Sequence, residues 1–250
     1  MQPHRSRYWL NAKTKAAEPA AFAEQVETIC TVYAYAPLLH AMGAHIVSCD
    51  EMTGIQALER IAPTLPMQPG RVERREFEYT RHGTLSLICT FDVVTGKILA
   101  PSLGPTRTEA DFAGHIERTG ETDPEGVWVF VTDQLNTHQS ESLVRLVAAR
   151  CGISDDLGEK GTSGVLKSMA TRAAFLSDPT HRIQFVYTPK HTSWLNQIEI
   201  WFSLLVRRAL KRGNFPSREA LRERILAFIA YYNQTAKPFR WTYKGRPLMI

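Results

Sequence analysis

Three carboxylates stand where short apolar runs end or are interrupted. Asp50 follows "AHIVSC", Asp133 follows "GVWVFVT", and Glu199 interrupts the aromatic stretch "HTSWLNQIEIWFSLL". If the two runs are adjacent strands, their C-terminal ends bring the aspartates together, since open α/β sheets hold their sites there. Three hard oxygen donors in one cleft suit a pair of Mg²⁺ ions. Such a pair activates one oxygen and stabilises another during phosphodiester cleavage.

Each carboxylate also has a plainer interpretation. An Asp after a strand commonly caps a turn, and Glu199 alone is typical of a solvated residue at the boundary of an amphipathic helix. We expect Ser193 to cap that helix, and Trp194 and Trp201 to lie in the core rather than serve as platforms for bases. The apolar positions that define the helix are Trp194, Leu195, Ile198, Trp201, Phe202 and Leu205. Singly, the plain interpretations prevail; the order and context of all three carboxylates favour a joint site.

The order of predicted elements favours an α/β domain with a mixed sheet. Residues 152–182 interrupt that order with a glycine-rich stretch followed by a helix. Their "GEKGTSG" lacks the residue order of a phosphate-binding loop, so we reject that function. The predicted helices cover residues 21–42, 54–61, 108–120, 140–152 and 217–234 in addition to the helix of Glu199, and the predicted strands cover 44–50, 84–93, 97–103, 126–133 and 182–188.

Composition limits the class of protein. The 250 residues are 44% hydrophobic, which is enough for one sizeable core, and the net charge of +5 is compatible with a nucleic-acid partner. The four cysteines form no C-x-x-C pair, which argues against structural zinc and suits a reducing cytoplasm. No apolar run approaches the ~20 residues that span a bilayer, and the N-terminus lacks the apolar core of a signal peptide. We therefore expect a cytoplasmic protein without a membrane partner.

Three stretches, taken in order, resemble a known family. "SCDEMTGIQALER", "VTDQLNTHQS" and "TPKHTSWLNQIEIWF" are similar to the three acidic motifs of DDE transposases of the mariner-like superfamily, in the bacterial insertion-sequence branch. The resemblance covers about residues 40–250. Any one motif is weak evidence, whereas the ordered combination is specific.

The resemblance implies a fold, a reaction and partners. The fold is a ribonuclease H-like, mixed five-stranded sheet flanked by helices, and Asp50, Asp133 and Glu199 are the catalytic, metal-binding triad for two Mg²⁺ or Mn²⁺ ions. The implied reaction is cleavage and strand transfer of DNA during cut-and-paste movement of an insertion sequence. The implied partners are double-stranded DNA, both element ends and a TA-containing target, and a second copy of the chain in the DNA complex.

Two departures from the family pattern affect the predicted domains. The gap from Asp133 to Glu199 is 199 − 133 = 66 residues, longer than in compact members, so residues 152–182 are interpreted as an insertion. The family carries helix-turn-helix modules before its catalytic domain. Residues 1–42 are accordingly interpreted as a linker and helix, a remnant of such a region, and residues 43–250 as the catalytic domain. The chain would then be a truncated or split product whose autonomous activity is open.

Polar and basic residues near the motifs are candidate DNA contacts. Asn136 and His138 can orient substrate or a water, although helix capping explains Asn136 equally well. His191 is either a phosphate contact or a surface residue, and the basic run late in the Glu199 helix either complements the helix dipole or binds phosphate. The candidate DNA-binding residues are Asn136, His138, His191, Asn196, Arg207, Arg208, Lys211, Arg212, Lys237, Arg240 and Lys244.

Two other functions remain open beside the transposase. One is a ribonuclease H-like nuclease that cuts without strand transfer, and the other is a non-catalytic, DNA-binding remnant of a transposase. A glycosidase with two carboxylates is disfavoured, because the tail is basic and no aromatic-rich, acidic sugar cleft is indicated.

Overall fold

A mixed five-stranded sheet forms the centre of the computed structural model, which describes residues 19–243. The strand order is β3-β2-β1-β4-β5. Strand β1 is antiparallel to β2 and parallel to β4, β2 is antiparallel to β3, and β4 is parallel to β5. The strands are β1 Ala44–Arg60, β2 Tyr79–Asp92, β3 Ile98–Gly104, β4 Val127–Thr132 and β5 Ile183–Tyr187. The predicted α/β class and mixed five-stranded sheet are confirmed.

Helices cover both faces of the sheet in two separate apolar layers. Helices α1, α5 and α6 contribute to one buried cluster, and α2, α3 and α4 contribute to the other. The helices are α1 Pro19–Ala41, α2 Glu109–Gly120, α3 Glu141–Arg150, α4 Met169–Leu176, α5 Ile198–Leu205 and α6 Arg218–Gln234. Short 3₁₀ turns lie at Asn136–Gln139, Val165–Lys167 and Ser193–Leu195, and a π turn at Val206–Leu210 continues α5.

Alternation along β1 assigns its side chains to these two layers. Ile46 belongs to the cluster under α1 and α5, whereas Val47 and Cys49 belong to the cluster under α2 and α3. Successive side chains of a strand point to opposite faces. Asp50 therefore lies on the α5 side of the sheet and Glu51 on the α2 side, which determines the partners of each carboxylate.

Local capping explains where three predicted helices begin. Thr108 and Asp111 form a reciprocal capping box at α2. Ser140 accepts a hydrogen bond from the Leu143 N–H at the start of α3, and Ser217 caps α6 in the same way. These side chains satisfy backbone donors that have no partner inside the helix. The predicted helices at 108–120, 140–152 and 217–234 are confirmed.

The short helix predicted at 54–61 is wrong, because β1 continues through that stretch. Gly54 has a φ of +66° at an irregularity in the ladder, after which Ile55 pairs with Leu85 and Arg60 with Tyr79. Ile55 and Ala57 are buried while Gln56 is exposed. This period of two is the pattern of a strand, and pairing with the early half of β2 outweighs helix propensity.

The segment before Glu199 also differs from its prediction. Ser193 does not cap α5; it lies inside a 3₁₀ turn, and α5 begins after Gln197, which provides no side-chain cap. Trp201 is fully buried, as expected, but Trp194 is 45% exposed and contacts Tyr243 edge-on. The pattern of one continuous helix therefore misplaced Trp194 in the core.

Residues 152–182 are part of the core of the α2 layer. Leu166 and Leu176 are fully buried. The Arg172 guanidinium donates to the Gln139 carbonyl at 2.6 Å and to the Leu166 carbonyl at 3.1 Å. Whether this segment is an insertion relative to other family members stays a prediction, but it is not a detachable surface loop.

Three remaining expectations concern the cysteines, membrane-spanning helices and the domain boundary. Cys30, Cys49 and Cys89 are buried and Cys151 is partly exposed, and no disulfide bond joins any two of these described cysteines. Within residues 19–243, no helix combines the length and apolarity needed to cross a membrane. Residues 1–18, interpreted as a linker, lie outside the described part, so the predicted boundary at 42/43 stays a prediction.

We predict that Leu176→Ala destabilises the protein by about 2–5 kcal/mol, because it removes fully buried methyl groups and leaves a cavity. Urea unfolding should show a lower midpoint with an unchanged slope. Met169→Ala, at an exposed position of the same helix, is the control and should change the unfolding free energy little. Equal, small effects of both substitutions would show that the segment is peripheral.

Candidate active site

The parallel register places Asp50 and Asp133 side by side. Ser48 is level with Val131 in the β1–β4 ladder, so two further positions bring Asp50 level with Asp133. The prediction that Asp50 ends its strand is wrong. Strand β1 continues past the end of β4, and in this stretch Asp50 pairs with Cys89 of β2. Asp50 therefore lies two residues beyond the last pair of the parallel ladder, inside a strand that continues to Arg60.

Asn196 fixes Asp50 relative to α5. Its side-chain amide donates to Asp50 Oδ2 at 3.0 Å and to the Cys49 carbonyl at 3.1 Å. The Ser48 hydroxyl donates to Asn196 Oδ1 and accepts from the Ile198 N–H at 2.8 Å. Ser48 thus satisfies the first backbone donor of α5, the role that the sequence analysis gave to Ser193.

Glu199 lies in the first turn of α5 and is half-buried. Burial raises the pKa of its carboxyl group, and the negative charge of Asp133 raises it further. The carboxyl group is therefore close enough to Asp133 to feel its charge, which a fully solvated boundary residue would not do.

Asp50 carries the largest electrostatic penalty of the three carboxylates. Burial and the charge of Asp133 raise its pKa to about 7, although the charge of His138 and a hydrogen bond from the Glu51 N–H act in the opposite direction. Burial and the charge of Asp133 thus outweigh the nearby charge of His138, so at neutral pH part of the population holds a proton on Asp50.

His138 bridges two carboxylates at the end of the sheet. Its Nδ1 lies 2.7 Å from Asp133 Oδ1, and its Nε2 lies 2.8 Å from Glu51 Oε2. Phe112 packs against the ring, with 4.1 Å between the ring centroids, and the Tyr187 hydroxyl donates to the His138 carbonyl at 2.8 Å. The sequence analysis missed Glu51, since an acidic residue next to Asp50 carries no signal of a partner 87 positions later.

The charge of this bridge follows from its partners. Burial lowers the pKa of His138, but the hydrogen bonds and charges of Asp133 and Glu51 together raise it to about 10. The ring is therefore a cation with both nitrogens donating. Burial also raises the pKa of Asp133, yet contacts with His138 and the Leu135 N–H and the charge of Arg107 hold it below its usual value.

The buried positions of His138 and Asn196 contradict their prediction as DNA contacts. Both side chains are fully buried, so neither presents a donor to a DNA surface; each instead orients a carboxylate. Asn136 is exposed at the start of a 3₁₀ turn whose flanking residue is Leu135. Its predicted capping role is wrong, and its contact with DNA stays a prediction.

The remaining DNA-binding candidates are exposed wherever the structure describes them. His191 has a φ of +61°, a strained conformation for a residue that is not glycine. Lys244 lies outside the described residues. The exposed candidates are His191, Arg207, Arg208, Lys211, Arg212, Lys237 and Arg240.

The donor set of the site fits a hard divalent cation. Within residues 19–243, the tightest group of potential ligand atoms, all within 4.8 Å of one another, is Asp50, Glu51 and His138. His138 already contacts Asp133 and Glu51 through its two ring nitrogens. In the described residues the predicted ligands Asp50, Asp133 and Glu199 do not form a group within that distance, so their role as metal ligands stays a prediction. A cation among them would relieve the repulsion that raises the pKa of Asp50.

Comparisons with solved structures place the fold among known ones. The Mos1 mariner paired-end complex with Mn is similar over 89% of this chain and 56% of that chain, with 13% identity and a TM-score of 0.53. The catalytic domain of Mos1 mariner transposase is similar over 89% of this chain and 84% of that domain, with 11% identity and a TM-score of 0.52. The chain thus spans little more than half of the longer protein. Curated protein sequences show no match.

The sheet order and its covering helices match the ribonuclease H-like fold of that catalytic domain. The family described as DDE superfamily endonuclease matches residues 45–222. The chain belongs to this family, and the predicted resemblance to DDE transposases of the mariner-like superfamily is confirmed. Membership of the bacterial insertion-sequence branch stays a prediction.

We predict that Asp50→Asn flattens the pH dependence of stability in chelator. The folded-state pKa of Asp50, about 7, lies above its ordinary value of 3.8. The folded state therefore holds a proton that the unfolded state releases, so parental stability falls as pH rises from about 4 to about 7 and then levels as far as Asp50 is concerned. The variant lacks this fall.

Urea unfolding of both proteins at pH values from 4 to 8 tests this prediction. The difference in unfolding free energy should grow in favour of the variant across that range. His138 adds a separate fall between its ordinary value of 6.5 and about 10 in both proteins. Parallel curves between pH 4 and 7 would contradict the strained environment of Asp50.

Proposed function

We propose that this chain is the catalytic domain of a transposase that cleaves and joins DNA strands in a metal-dependent reaction. The observation that carries the proposal is the convergence of three carboxylates from separate elements. Extending the β1–β4 register by two positions beyond Ser48 and Val131 would bring Asp50 level with Asp133. Asn196, whose amide donates a hydrogen bond to Asp50, lies just before the helix of Glu199. Family membership supports a polynucleotidyl transferase or nuclease.

Asp50, Asp133 and Glu199 would hold Mg²⁺ or Mn²⁺, and we propose two ions. One structure of similar fold, the Mos1 mariner paired-end complex, was solved with Mn. When bound, such ions supply Lewis-acid stabilisation for the attacking and leaving oxygens of a phosphodiester. All three proposed ligands are carboxylates, which suits these hard cations.

The rest of the site positions these ligands. Asn196 donates to Oδ2 of Asp50, and the Glu51 N–H donates to its Oδ1. His138 and the Leu135 N–H both contact Oδ1 of Asp133, which leaves Oδ2 of Asp133 without a hydrogen bond in the described residues. Glu199 is carried by a helix that is anchored through Ile198, Trp201 and Leu205, all fully buried. Ligands held by packed neighbours are preorganised, which lowers the cost of binding the transition state.

Double-stranded DNA is the proposed substrate. The exposed basic residues of the π turn and of the chain after α6 would contact its phosphates through a salt-dependent, sequence-independent interaction. The structure of a Mos1 pre-cleavage transpososome is among the similar ones. By analogy, we propose element ends and a TA-containing target as substrates, two copies of the chain in the DNA complex, an insertion sequence as the mobile element and the cytoplasm as the location.

Two alternatives can be separated from this function by their products. A nuclease without strand transfer would release cut ends but no joined molecules. A non-catalytic remnant would bind DNA and produce neither. The shared location of three carboxylates favours a catalytic domain over a remnant, because three converging acids repel DNA unless cations join them.

We predict that Glu199→Gln abolishes DNA cleavage by orders of magnitude while leaving the fold intact. The amide preserves shape but removes one charge from a repelling cluster. In chelator the variant should therefore melt at the parental temperature or above it, and Mg²⁺ should raise its melting temperature less than it raises that of the parent. The assay combines melting with and without Mg²⁺ and cleavage of duplexes that carry the DNA ends flanking the gene.

Glu223→Gln is the matched control, since Glu223 is exposed on α6. It should resemble the parent in both measurements. Near-parental cleavage by Glu199→Gln would refute the catalytic role. A large loss of stability in chelator would make Glu199 a structural partner instead.

A further inference from the structure

Arg107 lies at the rim of the candidate active site, in the connection between β3 and α2. It directly precedes Thr108, the capping residue of α2. Its side chain is 49% exposed. Neither the acidic motifs nor the basic runs of the sequence single it out, because it is an isolated cation outside both.

Glu51 forms an ion pair with the Arg107 guanidinium but no hydrogen bond with it. Arg107 Nη1 lies 3.8 Å from Glu51 Oε1, which is within ion-pair range but too long for a hydrogen bond. The other oxygen of Glu51 makes the short 2.8 Å contact with His138, and the Glu51 side chain is only 2% exposed. Glu51 is thus a buried anchor shared by two cations.

The donors of Arg107 remain available to a ligand. Within residues 19–243, the Arg107 guanidinium makes one polar contact, the pair with Glu51. A guanidinium carries five N–H donors in a planar fork that matches the oxygens of a phosphate. A half-exposed cation whose fork is free is arranged for an anion from solution rather than for internal support.

The position of Arg107 indicates which anion it binds. Its guanidinium reaches the buried carboxylate of Glu51, which follows Asp50 in β1 and contacts His138. The chain of contacts Arg107–Glu51–His138–Asp133 ties it to the same end of the sheet. An anion bound there lies beside the carboxylates proposed to hold the metal.

We propose that Arg107 binds a phosphodiester of the DNA strand at the catalytic carboxylates, and that the Glu51–His138 pair holds it at the rim for this purpose. The inference rests on the proposed function, which supplies the DNA. Simple neutralisation of Glu51 is a weaker explanation, since His138 already contacts that carboxylate at 2.8 Å, whereas the half-exposed guanidinium of Arg107 lies 3.8 Å away.

The first test measures DNA affinity against salt for the parent, Arg107→Gln and Arg107→Lys. Loss of one phosphate contact should make the slope of log affinity against log salt shallower by about 1 in Arg107→Gln, equally for all duplex sequences. Arg107→Lys should keep the slope but bind more weakly than the parent, because an ammonium lacks the planar fork.

Arg145→Gln is the matched control. Arg145 is also exposed, and it pairs with Glu141 on α3. Its removal should leave the slope at the parental value. An unchanged slope in Arg107→Gln, or an equal loss in both variants, would overturn the proposal.

The second test locates the phosphate. Duplexes receive a single neutral methylphosphonate at the cleavage position or at one of its two neighbours. If Arg107 contacts one of these phosphates, Arg107→Gln should bind that duplex as well as the parent does, because the contact is already absent. A constant penalty at every position would overturn the proposed location.

Failure of the proposed function is distinguishable from failure of this inference. A parent that binds DNA but produces no cut or joined strands refutes the catalytic function, while the salt slopes and the methylphosphonate duplexes still decide the role of Arg107. A parent that does not bind DNA at low salt refutes both. Cleavage by the parent together with parental slopes in Arg107→Gln refutes only the inference.

Discussion

The buried amide of Asn196 is the interaction on which the arrangement of the site depends. It joins Asp50 and the Cys49 carbonyl of the central strand to the segment that leads into α5, while Ser48 closes the network by accepting from the first N–H of that helix. A buried polar group left without its partner costs more than the bond contributes when formed. The helix of Glu199 can therefore adopt few other positions against β1, and the carboxylate it carries is placed relative to Asp50 by hydrogen bonds as well as by apolar packing.

The network holds together groups that repel one another. Burial and the charge of Asp133 raise the pKa values of Asp50 and Glu199, and these shifts reflect the cost of holding the carboxylates there. The protein offsets part of it with the protonated His138 ring, yet that ring contacts Asp133 and Glu51 rather than Asp50. The uncompensated charge is thus concentrated on the side where Asp50 and Glu199 lie. Such uncompensated negative charge is expected of a site that binds a cation from solution.

The sequence predicted those elements whose signals are local. Capping residues mark the starts of three helices, at Thr108, Ser140 and Ser217. The apolar run before Asp133 indicates a central strand. It did not predict features that tertiary pairing decides. The stretch at 54–61 is a strand because β2 extends beside it, and α5 begins without a local cap because Ser48 supplies one from β1. The candidate triad was predicted from its order and context, whereas Glu51 and Arg107 were missed because their partners are distant in sequence.

Side chains on both faces of β1 contribute to the candidate site. Asp50 points toward α5, and its neighbour Glu51 points toward α2, where His138 reaches around the end of the sheet to Asp133. The α2 layer therefore supports the site although it carries none of the proposed metal ligands. Its influence passes through Tyr187, which holds the His138 carbonyl, and through Arg172, which holds the adjacent Gln139 carbonyl. Because Arg172 belongs to the segment 152–182, that segment is connected to the turn that positions Asp133, and its packing and the geometry of the site are physically coupled.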